Sequence, residues 1–138
     1  MFKINTRKRK VITTCVVLIA TIVLIIGICV IMRYKNYQDK VSAMSFSEVD
    51  ISSLADGIYI GECDVDVIYA KVEVAIQNGM IIDLKILEHR NERGGKAGAI
   101  IDEIMEEQRL DVDAVSSATN SSKVIRKAIE NALLQTPS

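Results

Sequence analysis

The chain has 138 residues with 17 basic and 18 acidic side chains, no tryptophan and six other aromatics, a length that holds one domain and an anchor but not two domains. Charge is split along it: Lys3, Arg7, Lys8, Arg9 and Lys10 crowd residues 1–10, residues 11–32 carry no charge, and the remaining twelve basic and all eighteen acidic groups leave a body of net −6. An acidic body lacks the basic face that phosphates demand, which excludes nucleic acid as a partner.

The basic tip at 1–10 sits beside an apolar run, so anionic membrane lipid is its expected partner. Val11 to Met32 is built from Val, Ile, Leu, Ala, Thr, Gly, Cys and Met. At about 1.5 Å per residue it spans roughly 33 Å as a helix, enough for a hydrocarbon core of about 30 Å. Lipid offers the backbone no alternative partner, so the β-branched content does not prevent a helix. The flank before the run is more positive than Arg33, Lys35, Asp39 and Lys40 after it. That bias predicts a cytoplasmic N-terminus, a single pass through the cell membrane and an extracytoplasmic body. A cleaved signal peptide is the rival, but its apolar stretch would run about 7–15 residues and end in small side chains. Here Ile25, Ile26, Ile28, Val30 and Ile31 keep the far end bulky, and neither Thr14-Cys15 nor Ile28-Cys29 resembles a lipoprotein site. The reading is an uncleaved anchor. Of the three cysteines, Cys63 alone lies in the body, which precludes an intramolecular disulfide there. It reads as a half-buried strand residue, and no Cys/His cluster offers a structural zinc site.

Residues 33–55 read as a linker that continues the anchor helix for a few turns, and Asp56-Gly57 marks a turn. Ile58 to Cys63 reads as a short strand. Val67 to Gln77 alternates, with Tyr69, Lys71 and Glu73 on one face and Ala70, Val72, Val74 and Ile76 on the other. Asn78-Gly79 is a hairpin signal. Met80 to Leu87 completes the hairpin, with Ile82, Leu84 and Ile86 in phase against Asp83 and Lys85. Glu88 to Gly95 is charged and glycine-containing, hence a loop. Lys96 to Gln108 places Ala97, Ile100, Ile101, Ile104 and Met105 on one helical face and acids on the other, a solvated side. Arg109 to Val115 reads as extended and Ser116 to Ser122 as a loop. Ser121 or Ser122 caps a last helix to about Leu134, with Pro137 past its end. The fold class is α+β: a small antiparallel sheet built as a meander around a hairpin, two packed helices, and one transmembrane helix ahead of them.

Five hydroxyl side chains, Ser116, Ser117, Thr119, Ser121 and Ser122, directly precede the last helix, and Lys123 and Arg126 lie in its first turns. Unpaired N–H groups at a helix start favour an anion, which makes this an anion site; the plainer reading is an over-supplied N-cap. His89, the single histidine, is either a solvated loop residue or a ligand neighbour. Tyr59 and Tyr69 read as packing residues rather than ring-stacking ones, and Gly94, Gly95 and Gly98 as a flexible turn.

The stretch Asp113-Ala114-Val115-Ser116-Ser117-Ala118-Thr119 resembles the flavinylation motif of the FMN-binding domain family, Asp-x-x-Ser/Thr-Gly-Ala-Thr. Asp113, Ser116, Ala118 and Thr119 match in register, and Ser117 stands where the family usually has Gly. The resemblance extends to Asp56-Gly57-Ile58-Tyr59-Ile60-Gly61 (DGxYxG) and to Val72 through Asn78-Gly79 to Ile82-Asp83 (VxVxxxNGxIxD). Leu87-Glu88-His89 and the Gly94-Gly95 loop also sit where the family places LEH and a Gly-containing loop. The stretch from 56 to 134 is covered. The family implies FMN carried as a phosphoester on Thr119, attached from FAD by a separate magnesium-dependent flavin transferase. It occurs in subunits of sodium-pumping NADH:quinone reductases and related redox complexes, and as stand-alone exported electron carriers. By that resemblance Thr119, Ser116, Ser117, Ala118, Asp113, Lys123 and His89 are cofactor-binding candidates, with non-covalent FMN as the alternative to a tether. There is no G-x-G-x-x-G signature for a flavin held in Rossmann fashion.

The chain then divides into a cytoplasmic basic tip at 1–10, a transmembrane helix at 11–32, a linker at 33–55 and an FMN-binding domain at 56–136. The expected function is a membrane-anchored extracytoplasmic electron carrier served by a flavin transferase and redox partner proteins, more a carrier or complex subunit than a stand-alone enzyme. The flavin would supply the chemistry and the protein its position and tuning. The rival is a non-redox anchored adaptor or assembly subunit without flavin, which colour distinguishes. An enzyme acting on small molecules finds no nucleophile–base pair and no metal cluster in the sequence.

Overall fold

The computed structural model describes residues 6–90 and 95–136 and resolves into two compact units, Met1–Asn36 and Tyr37–Ser138. The first is helical wherever it is described. Helix α1 (Thr6–Ser42) contains the uncharged run and is long and apolar enough to cross a membrane. It extends past the apolar stretch because Arg33 to Ser42 contains no Gly or Pro to break it. Thr13, Thr14 and Thr21 turn their hydroxyls back onto the carbonyls of Arg9, Lys10 and Leu18, which satisfies them without a neighbour.

The second unit holds one three-stranded antiparallel sheet in the order β1 (Gly57–Asp64), β2 (Tyr69–Gln77), β3 (Met80–Arg90), with helices α2 (Ala99–Glu107) and α3 (Thr119–Leu133). Ala70, Val72, Val74 and Ile76 form the covered face of β2, each at most 3% exposed, as the alternation predicted. Burying each Val or Ile contributes about 1.5–3 kcal/mol. Facing them, α3 contributes Val124, Ile125, Ala128, Ile129, Ala132 and Leu133. Gly61 lets helix and strand meet at the backbone: a Cβ there would lie 2.3 Å from both the Ala128 carbonyl oxygen and the Ala132 nitrogen. The hairpin turn has positive φ at Asn78 (52°) and Gly79 (70°), the type I′ signature. Asp56 accepts from the Asn78 N–H at 2.7 Å and so fastens the start of β1 to that turn.

Three sequence expectations are corrected here. β3 does not end at Leu87. Its ladder skips Ile82 and Leu87 as bulge residues and resumes with Glu88 opposite Lys71, His89 opposite Ala70 and Arg90 opposite Tyr69. Charged residues therefore continue the strand along the open face, and His89 lies in a strand rather than a loop. The first bulge also reverses the phase of β3, so Ile81 is buried and Ile82 is exposed. Finally, α3 starts at Thr119 with Ala118 as N-cap, before both Ser121 and Ser122. Ser122 is instead committed to the preceding loop.

The stretch read as a linker also supplies core residues to the second unit. Tyr37, Val41 and Ile51 are 2%, 2% and 6% exposed. A 3₁₀ turn at Ile51–Ser53, capped by the Asp50 carboxylate, brings the chain into β1. Gln108, in the left-handed conformation that ends α2, accepts from the Ile81 N–H at 2.8 Å and donates to the Ile81 carbonyl at 2.9 Å.

Candidate functional site

The hydroxyl-rich stretch begins with a tight turn. The Ala118 N–H donates to the Val115 carbonyl at 3.0 Å, making Ser116 and Ser117 the two central residues. Ser117 has φ of 71°. A positive φ at the third position is the type II pattern, where glycine is favoured. A side chain there costs on the order of 1 kcal/mol, because its Cβ crowds the following carbonyl. The substitution of Ser for Gly in the motif thus falls on the residue whose backbone most resists it.

The turn delivers the chain into α3. The N-cap Ala118 makes no side-chain capping bond. The first bond of the helix runs from the Ser122 N–H to the Ala118 carbonyl at 2.9 Å. The N–H groups of Thr119, Asn120 and Ser121 precede it and have no intrahelical acceptor. Thr119 is the first residue of this 15-residue helix and is exposed, as are Ser116, Ser117 and Asp113; Lys123, one turn on, is half-buried. The structure therefore brings five of the seven candidates, Ser116, Ser117, Ala118, Thr119 and Lys123, onto one turn and the first turns of one helix, with Asp113 two residues ahead of that turn. Ser122 is completely buried, and its Oγ accepts from the Val115 N–H at 3.2 Å, closing the loop at its base. Asn120 donates from Nδ2 to the Tyr37 hydroxyl at 2.7 Å. Neither tie was foreseen. The first displaces a capping role assigned from composition, and the second spans 83 residues with no local signal.

The seventh candidate, His89, lies on a different element. It shares a register row with Cys63 and Ala70 and is half-buried, and burial holds its imidazole below the usual pKa. Burial likewise pushes the Cys63 thiol up, so it is a poor nucleophile. Arg126, expected to add positive charge to the anion site, is committed elsewhere. Its guanidinium contacts Asp111 at 3.0 Å and lies 4.1 Å from the centroid of the Phe46 ring. Tyr59 is buried and donates to the Ala55 carbonyl. Tyr69 donates to Glu62 at 2.8 Å, which with smaller contributions from burial and nearby acids raises its pKa to about 12. Of the glycine loop, Gly94 lies outside the described residues, while Gly95–Gly98 form a short 3₁₀ turn.

What this arrangement offers is an accessible secondary alcohol on a helix start whose first donors have no side-chain cap, with an ammonium one turn away. These groups fit a phosphodiester attached at Thr119 Oγ1: N–H donors and Lys123 complement its charge, and exposure leaves room for the organic remainder. The class defined is a small α+β domain presenting an exposed threonine at a helix start whose N-cap makes no side-chain capping bond. Residues 68–134 match the FMN-binding domain family. The match covers β2, β3 and both helices and begins after β1, so Asp56 to Gly61 precede it. No curated protein matches the chain.

Proposed function

We propose that this protein is a membrane-anchored electron carrier whose FMN is tethered to Thr119, with the domain outside the cytoplasm. The observation that carries this reading is the exposure of Thr119 at the first position of a 15-residue helix without a side-chain cap, inside a family match for FMN-binding domains. In the tethering reaction Thr119 Oγ1 forms a bond to the FMN phosphorus of FAD. The pyrophosphate bond breaks, AMP leaves, and the hydroxyl proton passes to the transferase or solvent. Lys123 and the first-turn N–H groups of α3 hold the resulting negative charge. When bound, FMN supplies one- and two-electron transfer. His89 is the proposed neighbour of the flavin on the sheet side. The basic residues ahead of the apolar run support a cytoplasmic N-terminus and contact with anionic lipid. Electrons would enter from a membrane complex or quinol and leave to a redox partner protein.

The test uses the full chain, co-expressed with a flavin transferase, as wild type and as Thr119→Ala. Flavin fluorescence that survives denaturation in the wild type and is lost in the variant is the expected result. Yellow protein that loses its colour on denaturation means bound, untethered FMN. Colourless protein overturns the flavoprotein reading and leaves the adaptor.

A further inference from the structure

The start of α3 is weakly held by its own sequence. Its N-cap is an alanine that makes no side-chain capping bond, its first-turn donors meet no side-chain acceptor among the described residues, and the residue two before the helix is strained at φ 71°. Among the described residues, the side chains of 118–121 make one long-range hydrogen bond, from Asn120 Nδ2 to Tyr37 Oη at 2.7 Å. Tyr37 is an unusual acceptor in that its ring is immobilised: it is 2% exposed, and Val41, one turn on, is buried equally. A phenol locked in the core by its ring is a fixed point, and its hydroxyl transfers that fixity to Asn120. Asn120 directly follows the residue that carries the proposed acceptor oxygen.

The geometry points to Tyr37 as a positioning residue for Thr119, acting through Asn120. The inference rests on the proposed attachment at Thr119 and adds to it a residue 82 positions upstream by the numbering. Transfer to a hydroxyl requires that oxygen within reach of the attacked phosphorus and aligned with its leaving group, so a frayed first turn spends most of its time in unproductive geometries. Tyr37 and Asn120 hold that turn in its helical form without touching the reacting atoms. The phenol hydroxyl, rather than the ring, is the part that matters for transfer, whereas ring and Val41 together matter for packing.

The experiment uses the full chain in detergent micelles with flavin transferase, FAD and magnesium, reading the rate at which flavin becomes resistant to denaturation. Tyr37→Phe and Asn120→Ala are each expected to lower kcat/KM for transfer about fivefold, the scale of one ordinary hydrogen bond. The double variant falls no further, because both remove the same bond. Val41→Ala, which loses packing but no hydroxyl, lowers the melting temperature more than Tyr37→Phe yet transfers flavin at the wild-type rate well below melting. Amide exchange of Ser122 to Val124, whose N–H groups bond to the carbonyls of the first turn beginning with Ser122 to Ala118, speeds up in Tyr37→Phe, while that of Ala128 to Leu133 does not. Wild-type transfer rates in Tyr37→Phe, or rates that track melting temperature across all variants, overturn the inference. If the wild type itself takes up no flavin, the proposed function fails separately. The exchange measurement then still decides whether Tyr37 orders the start of α3, and unchanged exchange overturns that as well.

Discussion

Ser122 Oγ accepts a hydrogen bond from the N–H of Val115, seven residues earlier, in a fully buried position. The bond closes the base of the loop that carries Ser116 to Thr119. Ser122→Ala leaves the Val115 N–H without its partner, and an unmet buried donor costs about 1–2 kcal/mol. The variant is expected to melt lower by several degrees. Thermal unfolding of the full chain checks this, and an unchanged midpoint would show that water replaces the hydroxyl.

Ser117 occupies a left-handed conformation that glycine adopts freely. Ser117→Gly removes a steric cost of about 1 kcal/mol, partly offset by the greater freedom of glycine in the unfolded chain. The expected outcome is a small rise in melting temperature, together with flavin incorporation at least as fast as wild type. Ser117→Val, β-branched at the same φ, should destabilise by more than the glycine variant stabilises.

Gly61 is the position where α3 touches β1 backbone to backbone. A methyl group at Gly61 cannot be absorbed by a rotamer change, since the atoms it meets belong to the helix main chain. Gly61→Ala should cost about 3 kcal/mol by forcing α3 off the sheet. Urea unfolding monitored by near-ultraviolet circular dichroism measures it; a loss below about 1 kcal/mol would mean that helix and strand separate easily.

Burial lowers the pKa of His89 in the folded state. The unfolded chain therefore binds the proton more readily, and between the folded pKa and the ordinary value of 6.5 stability rises with pH. The contribution is complete above 6.5 and is lost as pH falls through the folded pKa. His89→Gln should flatten the rise in stability that the wild type shows as pH approaches 6.5 from below. Parallel profiles would place the imidazole in solvent.

The hairpin was legible because its signal is local: Asn78-Gly79 supplies two positive φ values, and the alternation in β2 states its covered face directly. The bulges at Ile82 and Leu87 were not, since a skipped residue leaves the composition of a strand unchanged and is decided by what the opposite strand and helices cover. The same applies to Tyr37, Val41 and Ile51, which look like scattered apolar residues in a polar stretch until the core they enter is known. At the site, the motif stood out as a run of hydroxyls, and Ser117 marked the backbone position that matters. The distribution of roles within the run was hidden. Ser122 left the cap to close a loop, and Arg126 turned to Asp111 and Phe46, because both choices depend on residues distant in sequence or on the turn's shape.

The side-chain amide of Gln108 engages both main-chain groups of Ile81 on a strand that, among the described residues, has a neighbouring strand on one side only. It imitates a single residue of a fourth strand. A bare strand margin invites copies of the same chain to zip together, and the more so if the apolar helix holds them in one bilayer. Gln108 occupies the Ile81 N–H and carbonyl, so those two groups are not open to an added strand, and one side chain covers them without added secondary structure.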